Sequence, residues 1–569
     1  MKKSSLLVLA ACTLLLATCG KKGGIAGLQV PKDAAFVLHI NSASISSKIS
    51  WKDISETSWF KEAGAKEKDS LAQKLMADPA SSGIDTKQDF VLFMKKHGNG
   101  SYMVAEGSLS SEAAYQQMLA NMTKKEPKEI KKSGDFSYMV SNDKTVVLWN
   151  KSKFALVTNG DMPAMPKVPG VGGLMRNHEY SESTRFETDS LLIFGQQALS
   201  TEGGNDLGSD SRFADLVKNG SDVHMWVNME QLYSGVNQLN KMLPMVRTED
   251  LFKGSVATVS INFDNGKITA TSKHYPSDAM KKIAEKNKPQ AVSAATINRI
   301  PSSNVVMVFA FNYSPTGLNE VLKLTGLDGP ADIALSKMGF SIDDFIKANK
   351  GEVLFAMSDP VSRQEIDSDK VNGTMPTGPF SKIGANVLFA SSVNDQAAFQ
   401  KQVDLISGLM GGLKQKFDKG GDAAPANPII PGITYKIQNN WFALSNSSDH
   451  TDKFLAGGNS NVPFADKITG KPVGIYIDLQ KLSNWMHSRY MKDNAPSIWQ
   501  DIVATGGEFN GTSSEFNIEI NLVDKNTNAL KQINQQVDKA FIKNKERMSS
   551  WENHSMMGMD SVAVPGEKH

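Results

Sequence analysis

The chain has 569 residues, 62 of them basic and 60 acidic, with a formal net charge of +2. That balance gives no electrostatic ground for nucleic-acid binding or for a polybasic membrane patch, and the length exceeds what one hydrophobic core holds. Both cysteines, Cys12 and Cys19, lie at the amino-terminal end, which excludes disulfides, thiol catalysis and cysteine metal sites from the body of the chain.

The chain opens with the positive segment Met1-Lys2-Lys3 and an apolar run from Leu6 to Ala17. The run is shorter than the roughly 20 residues of a membrane-spanning helix and has the pattern of a removed export signal. It ends in Leu16-Ala17-Thr18-Cys19-Gly20, which resembles a lipobox, with Thr18 bulkier than the usual Gly, Ala or Ser. Small residues before the cysteine let the extended chain enter the signal peptidase, and the thiol then takes a diacylglycerol. Cys12 follows Leu9-Ala10-Ala11, a closer local match, but cleavage there would leave an apolar core of only six residues. The expectation is a signal peptide over 1–18, lipidation at Cys19 and a flexible tether over 19–27, where Gly20-Lys21-Lys22-Gly23-Gly24 carries no apolar side chain. No later stretch is long and apolar enough to span a membrane.

In the following chain, apolar or alternating runs predict strands at Phe36–Ile40, Phe90–Met94, Tyr102–Glu106, Thr145–Trp149, Phe154–Thr158, Val223–Asn228, Val256–Phe263 and Ile268–His274. Asp264-Asn265-Gly266-Lys267 reads as a hairpin turn between the last two. Helical spacing appears at Trp51–Ala63, Leu71–Met76, Ser111–Met122, Met229–Met242 and Asp278–Lys286. Hairpins alternating with short helices predict an α+β fold, with helices packed on one face of an antiparallel sheet.

The pattern is then written a second time. GSYMVAEGSLSSEAAYQQML from Gly100 aligns without a gap with GANVLFASSVNDQAAFQKQV from Gly384. Phe154-Ala155-Leu156 returns as Phe442-Ala443-Leu444, VHMWVNMEQL from Val223 returns as VGIYIDLQKL from Val473, and Asp278-Ala279-Met280 returns as Asn528-Ala529-Leu530. Val30-Pro31 and Ile300-Pro301 lead into similar strands. These matches keep one order, which predicts two tandem duplicated halves, 28–290 and 291–546, followed by a disordered tail over 547–569. Four of the strands end in Asn41, Asn228, Asn312 or Asp478 just before a helix start, where such side chains cap helix amides.

Motifs for chemistry are sparse. There is no G-x-S-x-G elbow, H-E-x-x-H, P-loop or C-x-x-C, and no two of the nine histidines lie three or four residues apart. His39 and His224 occupy matching places in strand echoes, where the second half has Val308 or Phe309 and Gly474, and read as partly buried strand residues. The acidic loops Asn205–Asp210 and Asp367–Gly373 supply oxygens at alternate positions, without the bidentate Glu that completes a calcium loop. Neither is expected to be more than a solvated turn, so no cofactor is assigned and metal binding stays open. The aromatic helix Trp51–Phe60 reads as core in preference to a lipid- or partner-touching surface. The tail holds His554, Met556, Met557 and Met559, soft metal ligands in a segment with the composition of a disordered end.

The opening PKDAAFVLHINSASISSKISWKDISETSWFKEA, through Pro31, Phe36, Asn41, Lys48, Trp51 and Trp59, together with the lipobox, resembles an uncharacterised lipoprotein family of the Bacteroidota, domain of unknown function 4836. The resemblance implies a Gram-negative host and carries no functional residues over. In that phylum surface export favours acidic residues after the lipidated cysteine; Lys21 and Lys22 stand there and point to the periplasmic side of the outer membrane. The phylum's glycan pattern is matched by Asp69-Ser70-Leu71, Asp189-Ser190-Leu191 and Asp560-Ser561-Val562.

The sequence therefore leads to a lipid-anchored protein of the cell envelope, non-enzymatic, binding or assembling with an envelope protein or glycan and not with nucleic acid. The alternative is an envelope hydrolase whose carboxylate or serine site is not visible as a linear motif. Cys19 is the one residue with an assigned chemical role.

Overall fold

A computed structural model describes residues 28–66, 78–123, 129–141, 144–160, 185–200, 205–233, 247, 249–361, 384–417, 433–458, 460–490 and 497–557. The signal segment, Cys19 and the tether lie outside the described residues, as do the Leu71–Met76 helix, the Asp367–Gly373 loop, and the glycan patterns at Asp69 and Asp560. The chain is a mixture of helices and antiparallel strands and divides into two compact units. One holds the residues up to Trp226, Ser260–Gly266 and everything from Asp524 onward; the other holds Val227–Val259 and Lys267–Val523.

The first unit contains β1 (Phe36–Ile40), β2 (Phe90–His97), β3 (Gly100–Ser108), β4 (Lys131–Ser133), β5 (Phe136–Val140), β6 (Val146–Trp149), β7 (Lys153–Asn159) and most of β8 (Val223–Asn228). Their order across the sheet is β4-β5-β6-β7-β3-β2-β1-β8. The predicted strands are all present. The β4–β5 hairpin was not predicted, because its apolar run is short and follows a lysine-rich segment.

Helices α1 (Ser42–Lys48), α2 (Trp51–Ser55), α3 (Ser58–Lys66), α4 (Glu112–Thr123), α5 (Thr188–Leu199) and α6 (Ser211–Lys218) belong to this unit. They do not keep to one face of the sheet. Tyr115 and Leu119 of α4 pack with Trp149 and Phe154, whereas Gly195 of α5 lies against Leu148 and Val157. Successive strand residues point to opposite sides, so these are the two faces of one sheet. The cause is in β6: Val146, Val147, Leu148 and Trp149 are all buried, and a strand apolar on both sides needs cover on both. Gly195 permits the close approach on the α5 side, since a Cβ there would come within 2.5 Å of Leu148 Cδ2.

The predicted Trp51–Ala63 helix is two helices. Thr57 turns its hydroxyl onto the Ile54 carbonyl at 2.7 Å, competing with helical continuation between α2 and α3. Trp51, Trp59 and Phe60 pack with Ile45, Ile49, Ile54 and Leu530, so the aromatic stripe is core.

Leu530 belongs to the carboxy-terminal helix, Ala529–Met557, which packs in this first unit. It runs past residue 546, where the sequence reading ends the fold. Its side chains are mostly polar, so no apolar periodicity marks its length. Asp538 caps the start of α3, accepting the Ser58 N–H at 2.6 Å and the Trp59 N–H at 3.1 Å. Asn534 donates to the Asp53 carbonyl at 2.9 Å and Lys531 pairs with the Asp53 carboxylate at 3.3 Å.

Strand β9 (Val256–Asp264) runs into the predicted turn, where Gly266 has φ +69° and sits so close to Lys525 that a Cβ would come within 2.4 Å of its Cα. In the second unit β10 (Lys267–Tyr275), β11 (Val305–Asn312), β12 (Asn349–Ser358), β13 (Asn386–Val393), β14 (Thr434–Gln438), β15 (Trp441–Ser445), β16 (Val473–Asp478), β17 (Trp499–Phe509) and β18 (Ser514–Leu522) form the order β14-β15-β13-β12-β11-β16-β17-β18-β10. The largest core of this unit joins Val308, Ala310, Leu354, Ala356, Leu388 and Ala390 of the sheet to residues of α7 (Ala294–Ile297) and of a later helix that begins at Ser448. The alternate positions face the other way and meet α8 (Gln396–Phe417) and α9 (Leu479–Tyr490).

The Asp538 cap yields a direct expectation. Asp538→Ala should lower the stability of the first unit by about 1–2 kcal/mol in chemical denaturation, while Asp538→Asn, which keeps an acceptor, should lose less than half of that.

Candidate functional site

Three of the four predicted caps are caps. Asn41 accepts the Ser44 N–H at 3.0 Å, Asn228 the Gln231 N–H at 3.1 Å and Asp478 the Lys481 N–H at 2.9 Å. Asn312 is not one; the next helix starts three residues later, at Pro315, and is capped by Ser314, which accepts the Gly317 N–H at 3.0 Å. In the Asn205–Asp210 loop, Asp206 accepts the Gly208 N–H and Asp210 accepts the Arg212 backbone and guanidinium. Local donors already satisfy these carboxylates, which makes the loop a turn and the start of α6. Among the described residues no group of three or more His, Cys, Asp or Glu is placed to hold a metal ion. Asp189-Ser190-Leu191 forms the first turn of α5, with Leu191 fully buried.

The polar cluster of the first unit is built on the strand histidines. His39 on β1 and His224 on β8 are both buried, with their Nδ1 atoms 2.9 Å apart. His224 Nε2 lies 2.8 Å from Asn219 Oδ1, and His39 Nε2 lies 3.1 Å from buried Asp89 Oδ2, off the line of a straight hydrogen bond. Burial, with the charge on His39 adding to it, pushes His224 down to about 4, against an opposing pull from Asp222. Asp222 is itself fully buried and holds the Lys48 ammonium at 2.6 Å, the Ser44 hydroxyl at 2.5 Å and the Phe263 N–H at 2.6 Å. With both histidines buried, the strand reading holds; what sequence spacing did not reveal is that they touch.

In the same cross-strand row, His39 stands opposite Val91 and Val91 opposite Glu106. Glu106 is completely buried, and neither carboxylate oxygen makes a well-formed hydrogen bond among the described residues, the Gln29 backbone approaching it only loosely. Burial pushes its carboxyl up to about 8; the Gln29 backbone and Lys153 pull the other way, and Asp206 adds to the rise. Burial therefore favours the protonated, neutral form of Glu106. Its signal in the sequence was a carboxylate at a core position of an alternating strand.

The second unit has a cluster that superficially suits a hydrolase. Asp359 follows β12 with φ +51° and lies 3.3 Å from His450 Nε2, and Ser358 Oγ lies 3.5 Å from the same nitrogen. A serine nucleophile and an orienting carboxylate must sit on opposite nitrogens of the imidazole. Here they share Nε2, and Nδ1 is buried without a partner among the described residues. Burial raises the Asp359 carboxyl, but donors from His450, Ser302, Asn386 and Ser358 outweigh it and hold the group well below the usual carboxylate range. The arrangement fixes the end of β12; it does not activate Ser358.

The exposed face of the same sheet is apolar. Phe309, Phe355 and Phe389 stand in register on β11, β12 and β13, with Ile475 opposite Phe309 and Val353 opposite Phe311. The Phe309 and Phe355 rings are 6.2 Å apart. Phe311 is 40% and Phe389 36% exposed, which sets this row apart from its core-facing neighbours. Helices cover the ends of the face: Phe399 of α8 meets Phe442, and Leu482 and Trp485 of α9 meet the Met307–Met357 region.

A family model described as "Domain of unknown function (DUF4836)" matches residues 29–165. No curated protein matches the chain. Solved structures titled "Structure of crystal form III of TP0453" and "Structure of crystal form I of TP0453" are similar at 8% and 10% identity, covering 48% and 47% of this chain and 90% and 88% of theirs. Their TM-score is 0.22 in both cases, too low to imply a common fold.

Glu106 sets a pH dependence. Its folded pKa of about 8 lies above the ordinary 4.5, so the folded state keeps a proton that the unfolded state releases. Stability is fullest below pH 4.5 and falls as pH rises toward 8, by up to about 1.4 kcal/mol per pH unit from this group. Glu106→Gln should remove that component of the slope in denaturation series and be the more stable protein at pH 8.

Proposed function

We propose that this is a lipid-anchored binding protein of the cell envelope, held through Cys19 on the periplasmic side of the outer membrane, whose second unit takes an apolar group on the phenylalanine row. The observation that carries the reading is the exposure of Phe311 and Phe389 beside Phe309, Phe355, Val353 and Ile475 on one sheet face. Contiguous exposed apolar surface of this kind marks ligand or partner sites. The anchor rests on the lipobox-like residues around Cys19.

The reading includes a tandem duplication. Its support is a shared neighbour order: β7-β3-β2-β1-β8 in one unit and β15-β13-β12-β11-β16 in the other, joining the segments that repeat in sequence. With the strands aligned at Asn41 and Asn312, His39 corresponds to Ala310, in place of the Val308 or Phe309 of the sequence alignment, and His224 to Gly474; Ala310 and Gly474 are register partners. The histidine pair thus belongs to one copy, and the exposed phenylalanines to the other. The Ser358–His450 geometry argues against a serine hydrolase in the second unit.

Binding is tested with an environment-sensitive apolar dye and its displacement by a fatty acid. The wild-type protein should show saturable enhancement, and Phe389→Lys or Phe311→Lys should weaken it roughly tenfold or more. A dye response unchanged in both variants would sink the apolar-site reading. For the anchor, Cys19→Ser should move the protein from the membrane to the soluble fraction, and the mature wild-type amino-terminal peptide should carry acyl mass on Cys19. An unmodified peptide starting elsewhere would refute it, and digestion by protease added to whole cells would contradict the periplasmic side.

A further inference from the structure

The buried histidine pair has a proton count that its neighbours dictate. Its four ring nitrogens lie in sequence between two oxygen atoms, Asn219 Oδ1 at one end and Asp89 Oδ2 at the other. The Asn219 oxygen is identified by a second donor, since it also accepts the Ser221 N–H at 2.9 Å. It therefore accepts from His224, and His224 Nε2 carries a hydrogen. The Nδ1 atoms, 2.9 Å apart, hold one hydrogen between them. Burial, the largest cause of its low pKa, keeps His224 from taking a second proton, so its Nδ1 accepts and His39 Nδ1 donates.

That leaves His39 Nε2 facing Asp89 Oδ2 at 3.1 Å. If His39 were neutral, the buried Asp89 carboxylate, 3.1 Å from the ring, would lie against it with no compensating charge, an arrangement that burial makes costly. Two neutral imidazoles carry two N–H hydrogens, both used on the Asn219 side and between the rings; a third, on Nε2, gives Asp89 a positive partner.

We infer that His39 and His224 share three ring protons, with His39 as a buried imidazolium paired to Asp89, and that this state forms a pH-dependent latch tying β1 and β8 to the segment that leads into β2. Loss of the third proton turns an attraction between His39 and Asp89 into a repulsion and frees residue 89 from β1. The surrounding charges are already engaged or neutral. Asp222 is held by Lys48, Ser44 and the Phe263 N–H, Arg212 of α6 is paired with Asp210, and burial favours the neutral form of Glu106 on β3. Asp89 is thus the counter-charge of the pair.

The test is nitrogen-15 NMR of the histidine rings in the full mature chain, wild type and Asp89→Asn. In wild type at pH 7, His39 should show two protonated nitrogens and His224 only a protonated Nε2. On raising the pH, the His39 signal should convert to a neutral ring, and amide exchange at Asp89 and Phe90 should rise beyond the intrinsic base-catalysed increase. Asp89→Asn places an amide donor opposite Nε2, so two protons then complete the chain; His39 should be neutral at pH 7 with the fold retained and the extra rise in exchange abolished. A neutral His39 in the wild type at pH 7, or an imidazolium that persists in Asp89→Asn, overturns the proposal. So does amide exchange at residues 89 and 90 that follows the intrinsic rate throughout the titration.

Discussion

Burial of strands on both faces is the constraint on which the rest of this structure depends. A strand such as β6, with all four residues inside, cannot be served by one layer of helices, and the packing of α4 and α5 on opposite sides of its sheet follows from it. The same constraint gives polar side chains in the sheet their consequences. A histidine or glutamate at a core position has no route to water, so it must find a partner or change its protonation. His39 and His224 find each other, and Glu106 keeps a proton. The second unit shows what happens when one side is left partly open: alternating residues of β11, β12 and β13 make a dense core on one face and a row of phenylalanines on the other.

Strand positions were largely legible because period-two alternation and apolar runs are local properties. Phe36–Ile40 and Val223–Asn228 are strands over the residues the pattern marks, and Asp278–Lys286 is a helix over the residues its spacing marks. What failed was set by partners distant in sequence. The number of helix layers depends on which residues meet above and below a strand. The break between α2 and α3 depends on a hydroxyl that turns inward at Thr57. The carboxy-terminal helix has too weak an apolar pattern to announce its length, and its place is fixed by Asp53, Ser58 and Trp59.

The polar clusters were visible only as residue types. His39 and His224 read as strand residues, and the contact that joins them spans 185 residues of sequence. Asp89 and Asn219 sit at element ends, where Asp and Asn are ordinary turn residues, so nothing local distinguishes them from solvated ones. Ser358, Asp359 and His450 illustrate the converse: residue types that suit acyl transfer meet in space, yet the side of the imidazole on which they meet denies the chemistry.

The cap that Asp538 places on α3 spans 480 residues of sequence. A ribosome delivers Ser58 long before it delivers Asp538, so through most of synthesis the amino-terminal unit lacks the helix that closes over Ile54 and Phe60. Its apolar side there stays uncovered until the last part of the chain emerges. The order of manufacture therefore makes this unit the last to be finished although its strands are the first to be made, and it gives the growing polypeptide a long interval in which it has not yet locked shut.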